Sequence, residues 1–178
     1  HRSDATRGNE GDDRQTPGRE VVAMTRYGLG TKTDAQGLYD RIADVQKFAM
    51  KLNGYRASVA KCLRSLDLSL DSNSRVLDAG CGTGIVSMAF QDSGLASKQT
   101  VALDLSLKSL KIASGDMARR KQKTGNFEPV QGNLLQLPFE DKTFDMVMMC
   151  GVLEYTPLDA GLSEAARVLK SGAPLVLL

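Results

Sequence analysis

The stretch Val76-Leu77-Asp78-Ala79-Gly80-Cys81-Gly82-Thr83-Gly84 decides the fold of this chain. It begins with the apolar residues of a buried strand and continues through three alternating glycines into the apolar start of a helix at Ile85. Glycine adopts backbone angles that other residues avoid and allows the backbone to approach a ligand closely. The helix also presents N–H groups without intrahelical partners in its first turn. We therefore predict a ligand site at the end of this strand, with the carboxylate of Asp78 at the start of the glycine-rich turn.

A second carboxylate, Asp104, ends the next apolar run, which spans residues 100–103. A carboxylate at the tip of a strand can accept hydrogen bonds from both hydroxyl groups of a ribose. Ser106 is better suited to cap the helix that follows, which leaves Asp104 available to a ligand; a helix-capping role for Asp104 is the alternative. Together, Asp78 and Asp104 suit a ligand that has a cationic amino-acid end and a ribose.

After residue 71 the chain alternates between strand-like and helix-like segments. We predict strands at residues 75–79, 100–103, 127–130, 144–150 and 174–178, and helices at residues 85–91, 107–122 and 162–169. Strands separated by helices form a parallel sheet that is covered on both faces, and ligands bind such sheets at the carboxyl ends of the strands. The predicted fold class is therefore α/β: a Rossmann-like, doubly wound, mostly parallel sheet with helices on both faces.

The sequence divides into three regions. Residues 1–33 are polar, of mixed charge and without apolar periodicity, so we predict a disordered tail. Residues 34–70 have a helical pattern that Gly54 divides in two, and we predict that they form a helical lid on the core at residues 71–178. The core ends inside an apolar fifth strand, whose bare edge would invite pairing. We therefore expect either a chain truncated after the fifth strand or a partner chain that covers this edge.

Composition and charge exclude several classes of protein. The 178 residues are 42% hydrophobic and 25% charged with a net charge of +2, which indicates neither a nucleic-acid partner nor an anionic surface. No apolar run reaches the roughly 18 residues that a membrane span needs. The three cysteines match neither a disulfide framework nor a zinc site, so we expect the cytoplasm or another reducing compartment. His1 is the only histidine, and no metal site is predicted.

Residues 78–84 resemble the (E/D)-x-G-x-G-x-G motif of the class I S-adenosylmethionine-dependent methyltransferases of small-molecule type. The dinucleotide fingerprint G-x-G-x-x-G would instead need a glycine at position 85, where Ile85 stands. The resemblance implies that the cofactor S-adenosylmethionine contacts the residues of the motif, namely Asp78, Ala79, Gly80, Cys81, Gly82 and Gly84.

Two later segments resemble the second and third motifs of the same family. Residues 101–106 resemble the second motif, which implies that Asp104 binds the ribose and that Leu105 packs on the adenine. Residues 132–139 resemble the third motif, where the family commonly has an aspartate in place of Asn133. The amide oxygen of Asn133 can still accept a hydrogen bond from the adenine amino group, beside a backbone contact from Leu134. The alternative for Asn133 is a loop residue that bonds its own turn.

The remaining candidates follow from the same resemblance. Cys150 comes after the fourth strand, where the family faces the methionine part of the cofactor and the methyl acceptor. Glu154 and Tyr155 are candidates for a general base at the border of the acceptor pocket, with a role at the start of a helix as the alternative. Tyr39 lies in a Tyr-Asp-x-x-Ala element that resembles the segment covering the cofactor in many small-molecule methyltransferases; core or lid packing is the alternative.

Within the superfamily, the Leu137-Pro138-Phe139 and Arg167-Val168-Leu169-Lys170 segments are similar to those of the ubiquinone and menaquinone C-methyltransferases. The resemblance implies transfer of a methyl group from S-adenosylmethionine to a small-molecule acceptor by in-line displacement, which can rest largely on orientation and proximity. One alternative is a non-catalytic partner subunit that keeps the cofactor pocket. The other is an NAD-dependent oxidoreductase, against which Ile85 argues.

Overall fold

The computed structural model describes residues 54–120, 125–153 and 156–178, which include five strands and four helices. In chain order the elements are α1 (Tyr55–Ser65), β1 (Arg75–Ala79), α2 (Ile85–Ser93), β2 (Gln99–Asp104), α3 (Leu107–Ala118), β3 (Asn126–Gln131), β4 (Met146–Met149), α4 (Leu158–Val168) and β5 (Leu175–Leu177). The predicted tail and the first predicted lid helix lie outside the described residues.

The strands form one sheet in the order β3-β2-β1-β4-β5, and every neighbouring pair in it is parallel. The chain runs outward from β1 to β3 and then returns to the other side of β1 to form β4 and β5. This reversal places the topological switch point between β1 and β4, and ligands of such sheets bind at the carboxyl ends of the strands near that point. The structure thus confirms the predicted α/β class.

Two apolar clusters cover the two faces of the sheet. On one face, Leu77 and Val147 pack with Ala165 and Val168 of α4. On the other face, neighbouring strand residues such as Val76 pack with α1 and α2. Successive residues of a strand point to opposite faces, so strands that are buried on both sides must be apolar throughout. This requirement explains the Met146-Val147-Met148-Met149 run, in which every residue is buried.

Several element boundaries differ from the predictions. The fourth strand begins at Met146 rather than at residue 144, because Phe144 instead makes an isolated bridge to Leu169. The last helix begins at Leu158, four residues before the predicted start, directly after its N-cap residue Pro157. The helix that was predicted to reach residue 122 ends at Ala118. The start of the fourth strand thus depends on a contact with a distant segment, which the periodicity of a sequence does not contain.

A dense hydrogen-bond network ties α4 to the loop that follows β3. The Arg167 guanidinium bonds both carboxylate oxygens of Glu164 at 2.7 and 2.8 Å and donates to the carbonyl oxygens of Leu137 and Phe139 at 3.0 and 2.8 Å. Glu164 in turn accepts from the backbone N–H of Leu137 at 2.7 Å. The charge of Arg167 lowers the pKa of Glu164, chiefly through these hydrogen bonds. The pair therefore fixes the loop that carries the third motif.

Among the helices of residues 54–120, 125–153 and 156–178, none has the length and apolar character that crossing a bilayer requires.

Replacing Gly84 with alanine should destabilise the fold more than replacing Gly94, which ends the same helix. Both glycines have a left-handed φ, +79° and +77°, which costs an alanine about 1–2 kcal/mol. A Cβ at position 84 would also lie 2.8 Å from the Cβ of Ala113 on α3, whereas nothing lies within 4 Å at position 94. Such overpacking adds about 1–3 kcal/mol. Chemical denaturation followed by circular dichroism measures both losses, and equal losses would contradict the packing role of Gly84.

Candidate functional site

The glycine-rich turn after β1 is held against the end of β2 by backbone hydrogen bonds. The N–H groups of Gly80 and Cys81 both donate to the carbonyl oxygen of Leu103, at 2.8 and 2.9 Å. The N–H of Gly82 donates to the Asp104 carboxylate at 2.8 Å. The first and second motifs, which are about 20 residues apart in the sequence, therefore form one rigid corner at the carboxyl edge of the sheet.

The three glycines of the turn have different roles, although all have a positive φ. A Cβ at Gly80 would lie 2.5 Å from a methyl group of Val152, and a Cβ at Gly84 would meet Ala113. Packing within the protein therefore requires both glycines. At Gly82 the same direction is open, with no atom within 4 Å. Close approach of the backbone to a ligand, which the sequence suggested for all three, is thus supported by open space at Gly82 alone.

Asp78 presents a buried carboxylate at this corner. Its side chain is 1% exposed, and its Oδ2 accepts a hydrogen bond from the Ser87 hydroxyl at 2.6 Å. Its Oδ1 is buried and has no hydrogen-bond partner among the residues that the structure describes. Burial raises the pKa of Asp78 from 3.8 to about 6 against the opposing effect of the Ser87 hydrogen bonds, and Asp104 adds to the increase. A cationic group at Oδ1 would satisfy both the hydrogen-bonding capacity and the charge of this side chain.

Asp104 stands at the tip of β2, as predicted. Its Oδ2 accepts from the N–H of Gly82 and its Oδ1 accepts from the N–H of Ser106, both at 2.8 Å. The hydroxyl of Ser106 caps α3 by accepting from the N–H of Ser109. The serine is therefore the helix cap, which is the arrangement that the sequence favoured. A carboxylate offers about four lone-pair sites, so accepting from backbone N–H groups does not prevent Asp104 from also accepting from ribose hydroxyls.

The residues predicted for the adenine side lie near the ends of β2 and β3. Asn133 bonds its own turn, because its Oδ1 accepts from the N–H of Leu135 at 3.1 Å. This is the local bond that the alternative interpretation predicted, and the amide oxygen keeps a second lone pair. Leu134 directs its side chain into the core, and Leu105 is half-buried beside β2. The adenine contacts assigned to Leu105, Asn133 and Leu134 stay predictions.

Cys150 lies directly after β4, and its thiol shares a hydrogen bond with the hydroxyl of Tyr55. Burial, this bond and the neighbouring Cys150 and Asp78 raise the pKa of Tyr55 above its usual range, so the hydroxyl keeps its proton and is not a base. Sequence analysis missed Tyr55. The available signal was the helical spacing of Tyr55, Val59 and Leu63, which puts Tyr55 on the face of α1 that packs on the sheet.

The remaining predicted site residues are either buried near the turn or outside the described residues. Ala79 ends β1 and is completely buried, and Cys81 is buried in the turn. Burial and the nearby carboxylates of Asp78 and Asp104 raise the pKa of the Cys81 thiol well above its usual value, so it stays protonated. Tyr39, Glu154 and Tyr155 lie outside the described residues.

A family profile described as a methyltransferase domain matches residues 77–177 of this chain. The matched segment begins at β1, includes both carboxylates and the glycine-rich turn, and ends with β5.

The chain belongs to the methyltransferase domain family.

Two relatives of this methyltransferase domain have names in quinone biosynthesis. The demethylmenaquinone methyltransferase of Lactiplantibacillus plantarum is 35% identical over 149 residues, which are 82% of this chain and 62% of that protein. The ubiquinone/menaquinone biosynthesis C-methyltransferase of Rhizobium leguminosarum is 30% identical over 164 residues, which are 86% of this chain and 63% of that protein. The predicted similarity to this group is confirmed. The chain spans less than two thirds of the length of either relative.

A solved structure shows the same fold in a protein with another name. The alignment with the crystal structure of the cyclase SpnF covers 84% of this chain and 60% of the SpnF chain, with a TM-score of 0.66 and 20% sequence identity. This likeness shows that the two proteins share a fold. It does not indicate which reaction this chain catalyses.

Asp78→Asn should remove one component of the pH dependence of stability. Folding raises the pKa of Asp78 from 3.8 to about 6, so the folded chain keeps a proton that the unfolded chain releases in this interval. The resulting stabilisation is fully present below pH 3.8 and is lost as the pH rises through 6, a loss of about 3 kcal/mol. Between pH 4 and pH 8, the unfolding free energy of the wild type should therefore fall by that amount relative to the unfolding free energy of the variant. A difference independent of pH would contradict the assignment.

Proposed function

We propose that this chain is the cofactor-binding part of an S-adenosylmethionine-dependent methyltransferase that acts on a small-molecule acceptor. The observation that carries the proposal is the buried Oδ1 of Asp78, which has no hydrogen-bond partner among the described residues and lies at the corner where Gly82 leaves open space. Leaving a buried carboxylate oxygen without a partner is costly, so a ligand with a cationic group is the simplest explanation for it.

The described residues fit the three parts of this cofactor. Asp78 offers a carboxylate to the ammonium group of the methionine part, and Asp104 offers one to the ribose hydroxyls. The adenine is assigned to Leu105 and to the backbone of Leu134, beside the amide of Asn133. The two carboxylates come from neighbouring strands, since Asp78 of β1 is in register with Ala102, two residues before Asp104 on β2. The ligand would then lie across the ends of the strands.

The chemistry needed from the protein is mainly orientation. When bound, S-adenosylmethionine supplies a methyl group on a sulfonium centre, which is already a good leaving group. The chain holds the amino-acid end at β1 and the ribose at β2, and it presents Cys150 and Tyr55 at the end of β4. Holding the partners in line can supply much of the rate increase. A general base is needed only for an acceptor that must lose a proton; Glu154 and Tyr155 remain the candidates.

The acceptor class follows from the two relatives named for quinone methylation. We assign a reduced quinone with an unsubstituted ring carbon as the first acceptor to test. When the new carbon–carbon bond forms and the bond from methyl to sulfur breaks, this ring carbon loses its hydrogen as a proton, so the reaction needs a base, for which Glu154 and Tyr155 are the candidates. The partner chain or further C-terminal segment that would cover β5 remains part of the proposal, because the side chain of Leu177 on this edge strand is 49% exposed.

A non-catalytic cofactor-binding subunit is the second candidate. The observation that favours it is the bond from Leu135 to the amide oxygen of Asn133, which engages the side chain expected to bind the adenine. Turnover with a reduced quinone distinguishes the two candidates, because only the enzyme releases methylated product and S-adenosylhomocysteine. An oxidoreductase is disfavoured, since Ile85 begins α2 where the dinucleotide fingerprint needs glycine.

Calorimetric titration of the chain with S-adenosylmethionine, beside NAD, tests the cofactor assignment. We expect micromolar affinity for S-adenosylmethionine and no measurable affinity for NAD. Asp104→Ala should weaken the affinity about 10- to 100-fold, because two charge-assisted hydrogen bonds to the ribose are lost. Asp67→Ala, at an exposed position after α1, is the matched control and should bind as wild type.

Thermal unfolding of each variant confirms that it is folded. Preferential binding of NAD, or equal affinity of Asp104→Ala and wild type for S-adenosylmethionine, would refute the assignment.

A further inference from the structure

Ser87 is a polar residue that is buried among apolar side chains. It lies in the first turn of α2, its side chain is completely buried, and its neighbours Val86 and Met88 belong to apolar clusters. Its hydroxyl donates to Oδ2 of Asp78 at 2.6 Å, a distance typical of a strong hydrogen bond from a hydroxyl to a carboxylate. Neither the motif nor the proposed function assigns this residue a role.

We propose that Ser87 is a positioning residue of the cofactor site: it holds one oxygen of Asp78, directs the other towards the ligand's ammonium group, and sets the pH range over which Asp78 binds. The inference rests on the proposed function, because it names the group that prepares the same carboxylate for the ligand.

The geometry supports an orienting role. A carboxylate can turn about its Cβ–Cγ bond, and a single strong donor on one oxygen fixes that rotation. Because the Ser87 hydroxyl occupies Oδ2, the oxygen without a described partner is Oδ1. A hydroxyl held on a helix that begins at the glycine turn moves with that turn, so the turn and the carboxylate keep one arrangement.

The electrostatics support the effect on charge. Burial raises the pKa of Asp78, the side chain and the backbone N–H of Ser87 lower it, and Asp104 on β2 raises it. The other titratable groups coupled to Asp78 are Cys81 in the turn and Tyr55 on α1, both with a raised pKa, and Cys150 after β4 faces Tyr55. None of these is a cation, so Ser87 is the side chain that favours the ionised form of Asp78 in the chain without ligand.

The test compares Ser87→Ala with Ser93→Ala. Ser93 lies on the same helix and is also buried, but its hydroxyl donates to the carbonyl oxygen of Phe90 and not to Asp78. Ser87→Cys has a side chain of similar volume and a weaker hydrogen-bond donor. It replaces the alanine variant in the test if that variant does not fold. Carbon-13 NMR of the Asp78 carboxyl measures its titration without ligand, and calorimetry with S-adenosylhomocysteine from pH 5 to pH 8 measures affinity.

In the wild type we expect the carboxyl to titrate near pH 6 and the affinity to fall below that pH. In Ser87→Ala both midpoints should move up by about one pH unit. At pH 8, where Asp78 is mostly ionised in both chains, the affinity should fall about threefold, or about 0.6 kcal/mol, because Oδ2 is no longer held. Ser93→Ala should match wild type, and Ser87→Cys should fall between.

Three results would overturn the proposal: an unchanged NMR midpoint in Ser87→Ala, an affinity lowered equally at every pH, or the same shift in Ser93→Ala. Absence of binding by the wild type at every pH, with the NMR midpoint shifted in Ser87→Ala as expected, would instead refute the proposed function. It would leave Ser87 as the group that controls the charge of Asp78.

Discussion

The hydrogen bonds between the glycine turn and the end of β2 are the constraint on which the site depends. The Leu103 carbonyl oxygen accepts from two successive N–H groups of the turn, and the Asp104 carboxylate accepts from a third. The turn can reach these acceptors only with positive φ angles, which glycine adopts at little cost. Because every residue of β1 pairs with β2, up to Ala79 with Leu103, the two acidic residues are carried on one frame. The chain thus has its ligand-binding corner preformed.

The preformed corner lowers the stability of the fold at Asp78. A carboxylate that is buried with one oxygen lacking a described partner destabilises the fold when it is ionised, and it must be ionised to attract an ammonium group. The fold limits the cost by supplying a hydroxyl from Ser87 instead of a cation, since a fixed cation would compete with the ligand. Binding of a cationic ligand would lower the pKa of Asp78 and recover the energy that burial has cost. Function and stability therefore oppose each other at this residue, as they commonly do at binding sites.

The order of the core elements and the corner itself could be predicted because both depend on local sequence. Apolar runs such as Met146–Met149 indicate strands buried on both faces, and the spacing of the glycines indicates the turn. The start of α4 was placed four residues late because the prediction followed apolar spacing and did not use Pro157, which directly precedes the helix. The start of β4 was displaced because the Phe144–Leu169 bridge is a tertiary contact. Tyr55 was missed for the same reason, because its partner Cys150 is 95 residues away. The separate roles of the glycines needed the structure as well, since Val152 and Ala113 come from distant segments.

The corner specifies a ligand more strongly than it specifies a reaction. In the proposed function, its carboxylates and the open space at Gly82 recognise an amino-acid end and a nucleoside, and none of these features identifies a reaction. What happens to the bound molecule depends on the groups at the end of β4, where the acceptor would approach. There the described residues provide a thiol and a phenol that share a hydrogen bond, and burial disfavours the phenolate. Within the proposed function, a buried phenol suits an apolar acceptor such as a quinone better than a charged one, because a charged acceptor would lose its hydration without gaining a partner from that group.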